Sequence, residues 1–106
     1  MDLPLAQMQE NAGRASALLR CMANESRLLI LCNLVEGEKT VGELEEMLQL
    51  SQSALSQHLA VLRRENLVAT RRQAQFIHYS LASEDVQAVL QVLYERFCAP
   101  DANPPE

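Results

Sequence analysis

The spacing of apolar residues predicts a chain made mostly of short helices. In the first segment, apolar positions advance by alternating steps of three and four residues, which places them on one narrow seam of a helix of about eighteen residues. These positions are Leu5, Met8, Ala12, Ala15, Leu19 and Met22. A seam of this width is typical of a helix that packs against another helix.

A second helix is predicted after Asn24, which is a good N-cap residue. Its body, residues 28–35, is apolar almost all round, and Gly37 follows its end. Because a helix that is apolar on most sides is usually buried, the pattern predicts a central core helix.

A helix-turn-helix is predicted next. Thr40 and Glu43 have the spacing of a capping box, which opens a short third helix ending near residue 48. Its predicted inward positions are Val41, Leu44, Met47 and Leu48. Ser51 caps a fourth helix after only three residues, and in a helix-turn-helix the second helix enters a DNA groove.

The fourth helix has an unusual polar face. Leu55, Leu59 and Leu62 lie on one side, and short hydroxyls, amides and arginines occupy the other. The polar positions are Gln52, Ser53, Ser56, Gln57, Ala60, Arg63 and Arg64. Such side chains bind phosphates and base edges. The same residues also suit a solvated helix without acids, and this helix alone leaves both interpretations open.

A β-hairpin and a last helix are predicted after residue 66. Residues 67–72 and 76–81 read as two strands with Gln73 and Ala74 near the tip, so the hairpin forms a wing that carries Arg71 and Arg72. Ser83 caps a final helix that runs to Cys98 and stops at Pro100. Residues 100–106 are Pro-rich and polar, which predicts a disordered tail.

Composition narrows the class of protein. With 106 residues, 48% of them hydrophobic, the chain predicts a single domain over residues 1–99. No apolar run reaches the ~20 residues of a membrane span, and no basic leader precedes an apolar block, so we expect a cytoplasmic protein without a membrane partner.

The charge is unevenly distributed. The net charge is −5, but residues 51–79 contain four arginines and one glutamate, a local charge of +3 that leaves −8 for the rest. A basic patch on an acidic body suits a DNA-binding protein. With so few arginines in one copy, we expect a dimer to be required.

The order of helices, wing and final helix, together with the segment SQSALSQHL at residues 51–59, resembles the ArsR/SmtB family of dimeric winged-helix repressors. The resemblance covers about residues 12–98, and residues 18–28, 41–44 and 72–75 look like its persulfide- and redox-sensing branch. It implies a mainly α winged helix-turn-helix fold (α1-α2-α3-α4-β-β-α5). It also implies a homodimer through the first and last helices, the latter contributing Val89, Leu93 and Phe97.

The resemblance further implies DNA as partner, with an operator that is an imperfect palindrome. The expected DNA-binding residues are Ser51, Gln52, Ser53, Ser56, Gln57, Arg63, Arg64, Arg71, Arg72 and Gln75. The metal-binding patterns of the family are missing, since residues 41–48 contain no cysteine or histidine and Asp85-Val86-Gln87 lacks an imidazole. No cofactor or metal is therefore expected.

Two of the three cysteines match the sensing pair of that branch. Cys32 and Cys98 stand 66 residues apart, in settings similar to those of the sulfide-responsive members. The resemblance implies that a small persulfide or polysulfide inducer reacts with one thiol, and that the other converts the product into a disulfide or a longer sulfur bridge. Bridging would lower DNA affinity and derepress sulfide-detoxification or related genes.

Other interpretations of the cysteines stay open. A cysteine in an apolar helix, such as Cys32, is often a small buried hydrophobe, whereas Cys98 ends a helix and should be exposed. Cys21 fits packing better than sensing. The competing hypothesis is a winged-helix DNA-binding or protein-interaction module with incidental cysteines. No Gly-rich phosphate loop, nucleophile elbow or histidine-acid cluster indicates an enzyme.

Overall fold

Residues 3–98, the part of the chain that the computed structural model describes, form five α-helices and a small antiparallel sheet. The helices span Leu5–Met22 (α1), Glu25–Leu34 (α2), Val41–Leu48 (α3), Gln52–Arg64 (α4) and Glu84–Leu93 (α5). The strands Lys39–Thr40 (β1), Val68–Gln73 (β2) and Phe76–Leu81 (β3) are ordered β1-β3-β2. This arrangement confirms the predicted winged helix-turn-helix fold.

The starts of α2, α3, α4 and α5 are set by local capping, as the sequence predicts. Each cap is a side-chain oxygen that accepts a hydrogen bond from a backbone N–H in the first turn, where that N–H has no helical partner. The acceptors and donors are Asn24 and Arg27 at 3.0 Å, Thr40 and Glu43 at 3.2 Å, Ser51 and Ala54 at 3.1 Å, and Ser83 and Val86 at 3.2 Å. The Glu43 carboxylate also accepts from the Thr40 N–H at 2.8 Å, which completes the capping box.

The core holds α4 in place through one leucine face. Leu55, Leu59 and Leu62 are at most 1% exposed and pack with buried side chains of α2, α3 and α5. Burying one such side chain contributes roughly 1.5–3 kcal/mol. The three leucines therefore fix the rotation of α4 and turn its polar face outward.

Helix α2 is buried on one face only, which corrects the prediction of burial on most sides. Ile30 and Leu31 are fully buried, whereas Leu29 is 45% and Val35 is 58% exposed. Cys32 lies on the exposed side as well. The protomer has helices to cover one side of α2, and the other side remains open. Met47, predicted to face inward from α3, is likewise 48% exposed.

The sheet has a strand that the sequence did not predict. β1 is two residues long and pairs with β3, with Lys39 opposite Tyr79 and Thr40 opposite His78. His78, at the centre of this pairing, is half-buried. The wing turn also lies one residue later than predicted, because Gln73 pairs with Phe76.

The end of α5 departs from the predicted helix. The α-helix ends at Leu93, and a π-helical turn, Tyr94–Cys98, continues the chain. Pro100 and the predicted tail at residues 100–106 lie outside the described residues. Among the helices of residues 3–98, none has the length and apolar character to span a membrane.

Candidate DNA-binding surface and cysteine pair

The turn between α3 and α4 is built without glycine. Gln49 adopts a left-handed conformation (φ 55°), and its N–H donates to the Glu45 carbonyl at 2.9 Å, which closes α3. Ser51 then starts α4. A left-handed residue reverses the chain direction at the end of a helix, usually as glycine or asparagine. The turn between α3 and α4 therefore lies where the sequence predicts it, but its left-handed residue is Gln49 rather than glycine or asparagine.

The outer face of α4 presents the predicted polar side chains to solvent. Every predicted DNA-binding residue of this helix is exposed: Ser51, Gln52, Ser53, Ser56, Gln57, Arg63 and Arg64. The face thus offers hydroxyl, amide and guanidinium groups over more than three helical turns. His58 lies apart from them and is half-buried, with its Nδ1 3.5 Å from Arg27 Nη1.

Ser51 combines two roles within one hydroxyl group. Its Oγ accepts the hydrogen bond from the Ala54 N–H that caps α4. A hydroxyl that accepts in this way still has its own hydrogen to donate. Ser51 can therefore cap the helix and donate to a phosphate oxygen at the same time.

The wing carries its arginines differently from the prediction. Arg71 was expected to be available to phosphates, but its guanidinium binds the Glu38 carboxylate, with Nη2 to Oε1 at 2.8 Å and Nε to Oε2 at 3.0 Å. Its Nη1 also donates to Gln73 Oε1 at 3.2 Å. Arg72 and Gln75 are exposed near the wing tip.

The ion pair shifts the pKa values of Glu38 and Arg71 in opposite directions. The hydrogen bond from Arg71 lowers the pKa of Glu38, with a further contribution from the positive charges of Arg71 and His78. The same hydrogen bond and the negative charge of Glu38 raise the pKa of Arg71. Both side chains are partly open to solvent, so the pair stabilises the fold only slightly.

Glu38 changes the charge of the basic patch. Sequence counting over residues 51–79 assigns a net charge of +3, but Glu38, from outside that range, neutralises Arg71. Arg64 also lies 3.9 Å from Glu65. No sequence pattern predicts the contact between Glu38 and Arg71, because the two residues are 33 positions apart and meet only when the sheet forms.

Arg27 is a second residue whose role sequence reasoning missed. Its Nε donates to the Cys21 carbonyl at 2.7 Å and its Nη2 donates to the Arg20 carbonyl at 3.4 Å. The last carbonyls of a helix have no partner within the helix. Arg27 therefore joins the end of α1 to the start of α2, and it also contacts His58 of α4.

The cysteines fall into two groups. Cys21 is 8% exposed and belongs to the core, in line with its predicted packing role. Cys32 and Cys98 are both exposed free thiols, so the interpretation of Cys32 as a buried hydrophobe is wrong. Partial burial, followed by the negative charge of a Cys98 thiolate, raises the pKa of Cys32. The two thiols therefore interact electrostatically. Within residues 3–98 no group of three or more metal-ligating side chains could hold a metal ion.

The predicted dimer positions are mostly exposed in the protomer. Leu5 is 70%, Leu19 is 54% and Phe97 is 67% exposed. Met8, Ala12 and Ala15 are exposed too, whereas Val89 and Leu93 are half-buried. Met22 is 5% exposed and belongs to the core of the protomer itself, so it offers little surface to the predicted dimer seam.

A helix-turn-helix with a DNA-compatible outer face, followed by a wing, defines a winged-helix DNA-binding protein. Residues 24–70 match the model of the family described as bacterial regulatory protein, arsR family. The chain is similar to the transcriptional activator HlyU of Vibrio cholerae, with 52% identity over 94 residues, 89% of this chain and 87% of that protein. It is also 42% identical to the biofilm growth-associated repressor of Agrobacterium fabrum over 102 residues, 96% of this chain and 87% of that one.

Solved structures agree with this similarity. Reduced HlyU from Vibrio cholerae superposes with a TM-score of 0.86 at 52% identity, covering 90% of this chain and 100% of that one. The repressor BigR from Xylella fastidiosa gives a TM-score of 0.82 at 38% identity, covering 92% and 99%. The chain belongs to the ArsR family of bacterial transcription regulators. It is a DNA-binding regulator and not an enzyme.

Proposed function

We propose that this chain is a homodimeric repressor that dissociates from DNA when reactive sulfur species bridge Cys32 and Cys98. The observation that carries the proposal is the pair of exposed free thiols, one on α2 and one at the end of the π-helical turn, and the charge of Cys98 is among the causes that raise the pKa of Cys32 after its partial burial. Exposure gives a small persulfide or polysulfide access to both sulfurs. Because the charge of one thiol acts on the other, we expect a persulfide formed on one cysteine to be open to attack by the second.

DNA binding is assigned to α4 and the wing. The exposed hydroxyl, amide and guanidinium groups of α4 suit base edges and phosphates in a major groove. Gln57 is the strongest candidate for reading a base, because an amide can make paired hydrogen bonds to adenine. The wing adds Arg71, whose guanidinium must leave Glu38 to reach a phosphate, and Arg72 and Gln75 near the wing tip.

Dimerisation is assigned to α1 and to α5 with the π-helical turn that follows it. The apolar side chains exposed there need a cover, and a second copy of the same seam provides one with two-fold symmetry. Two α4 helices related by that symmetry would read two half-sites. The operator is therefore expected to be an imperfect palindrome of double-stranded DNA.

The proposed reaction starts at Cys98. A thiolate is the attacking species, and the raised pKa of Cys32 disfavours it as the first nucleophile. The Cys98 thiolate attacks the outer sulfur of a persulfide RSSH, which gives a Cys98 persulfide and releases RSH. The Cys32 thiol then attacks the Cys98 sulfur, forms the disulfide and expels hydrogen sulfide. The sulfane sulfur is reduced and the two thiols are oxidised, so no other oxidant is needed.

A second persulfide allows a longer bridge. If Cys32 also acquires a sulfur atom, its terminal sulfur can attack the Cys98 sulfur, which yields a trisulfide and hydrogen sulfide. A plain disulfide requires Cα atoms within about 7 Å, and a longer bridge relaxes that limit. Either bridge ties α2 to the π-helical turn and so alters how the two α4 helices are presented across the dimer. By linkage, bound DNA would oppose bridging to the same extent.

The test combines mass spectrometry with DNA binding. The DNA is a duplex that the wild-type protein selects from a random library, and the protein is treated with a glutathione persulfide donor or with peroxide. We expect bridged Cys32 and Cys98 and a lower affinity. Cys32→Ser and Cys98→Ser should each bind DNA normally and stay bound after treatment. Cys21→Ser, which alters a buried thiol, is the matched control and should respond like wild type.

Two outcomes would contradict the proposal. If DNA affinity is unchanged after both cysteines have demonstrably reacted, the thiols are incidental and the chain is a winged-helix module without thiol sensing. If only Cys98 is modified and Cys32→Ser still releases DNA, sensing does not use a bridge. Cys32→Ser should retain a persulfide on Cys98, because the thiol that resolves it is missing.

A further inference from the structure

The contact between Arg71 and Glu38 crosses the whole width of the sheet. Glu38 directly precedes β1, Arg71 lies on β2, and β3 runs between these two strands. Arg71 is opposite His78 on β3, and Thr40 of β1 is opposite the same residue, so the pair spans one face of the sheet above His78. The wing is thereby connected to the segment that joins α2 to β1.

The pair uses the edge of the guanidinium that also recognises phosphate. Its Nε and Nη2 atoms face the two carboxylate oxygens at 3.0 and 2.8 Å. Paired N–H groups in this geometry bind carboxylate and phosphate alike. In the free protein, Glu38 therefore occupies the position on Arg71 that a DNA phosphate would take.

We propose that Glu38 sets the DNA affinity of the wing by competing with a DNA phosphate for Arg71. The proposal rests on the proposed DNA contact of Arg71. Binding then exchanges a carboxylate for a phosphate and leaves Glu38 without its partner beside a negatively charged backbone. Because all DNA offers phosphates, this penalty applies equally to the operator and to random DNA, and it leaves sequence preference unchanged.

The exposure of the pair makes exchange feasible. The side chain of Arg71 is 51% exposed and that of Glu38 is 37% exposed. Exposed ion pairs are weak, so Glu38 lowers the affinity of the wing without blocking it. From the usual strength of such pairs, removing the carboxylate should tighten binding by between about 1.5-fold and 5-fold for each protomer. In a dimer that engages both wings, the two factors multiply.

The experiment compares Glu38→Gln with a matched charge change. Glu38→Gln keeps the shape of the side chain and removes its charge, and Glu36→Gln removes the same charge from an exposed position two residues earlier. Each is measured alone and together with Arg71→Ala, on a duplex selected by the wild-type protein and on a scrambled duplex of equal length. The Nε–H NMR signal of Arg71 reports directly on its partner in the free protein.

The expected result is specific to Glu38. Glu38→Gln should bind both duplexes more tightly than Glu36→Gln does, and the extra gain should vanish in the Arg71→Ala background. The Nε–H signal of Arg71 should shift in Glu38→Gln and stay in place in Glu36→Gln.

Three outcomes would overturn the competition. Weaker binding by Glu38→Gln and Glu38→Ala would make Glu38 a residue that positions Arg71 for DNA. Equal gains in Glu38→Gln and Glu36→Gln, or a gain that persists without Arg71, would reduce the effect to general charge. Arg71→Ala that binds as wild type would instead remove Arg71 from the proposed DNA contacts, whereas the other two outcomes leave the proposed function intact.

Discussion

Ser51 offers a way to separate the stability of α4 from its contact with DNA. Ser51→Ala removes the hydrogen bond of 3.1 Å from the Ala54 N–H to the serine side chain. The Ala54 N–H, in the first turn of α4, then has only water as an acceptor. Loss of a serine N-cap costs about 1 kcal/mol, within a range of roughly 0.5–2. For a domain of this size, about 1 kcal/mol corresponds to a fall in Tm of roughly 4–8 °C.

Ser51→Asp gives the complementary result. Aspartate caps a helix as well as serine does, and its charge interacts favourably with the helix dipole by about 0.3–1 kcal/mol. The stability of Ser51→Asp should therefore equal or exceed that of wild type. Its carboxylate, however, would lie at the start of the helix that faces DNA, so affinity for every sequence should fall.

The assay pairs urea denaturation at one fixed protein concentration with fluorescence anisotropy of a labelled duplex. Ser83→Ala is the matched control, because Ser83 caps α5 at 3.2 Å and lies outside the proposed DNA surface. It should lose similar stability while the folded protein keeps its affinity. The reasoning is refuted if Ser51→Ala is as stable as wild type, or if Ser51→Asp binds DNA as tightly as wild type.

Three further results are expected. Leu59 is 1% exposed, so Leu59→Ala should lower the free energy of unfolding by about 2–5 kcal/mol, and a loss below about 1 kcal/mol in urea would contradict its anchoring role. The hydrogen bond from Arg71 lowers the pKa of Glu38, so the pair stabilises the fold above the ordinary glutamate pKa and is lost as pH falls through the lowered value. NMR titration should give Glu38 a lower midpoint in wild type than in Arg71→Ala, and equal midpoints would argue against the pair in solution. Partial burial and the Cys98 charge raise the pKa of Cys32, so its alkylation should begin at higher pH in wild type than in Cys98→Ser; an unchanged profile would mean that the thiols do not interact.

Local interactions made most of the fold predictable. Thr40 with Glu43, and Ser51 with Ala54, are contacts across three residues, so the sequence alone places these helix starts. The leucine face of α4 follows from helical spacing in the same way, and its opposite face then had to be polar and exposed. These short-range patterns also predicted which side chains of α4 are exposed.

Tertiary pairing determined what the sequence did not reveal. Strand β1 is too short to leave a pattern and exists because Lys39 and Thr40 find partners on β3. The exposure of Cys32 depends on which side of α2 the other helices cover. Gln49 and Ala74, with φ of 55° and 56°, form turns that usually contain glycine or asparagine. The identity of these residues does not predict their left-handed conformation.

Helix α1 has a consequence for how the regulator responds to its own abundance. Of its eighteen residues, only Cys21 and Met22 are buried in the protomer. In proteins most of the stability of a helix comes from packing of its apolar face, and the protomer leaves most of that face of α1 uncovered. In the proposed dimer, completion of α1 and pairing of two chains would be one event. Operator occupancy at low copy number would then rise steeply with protein concentration, and a cell could set repression by synthesis rate as well as by thiol chemistry.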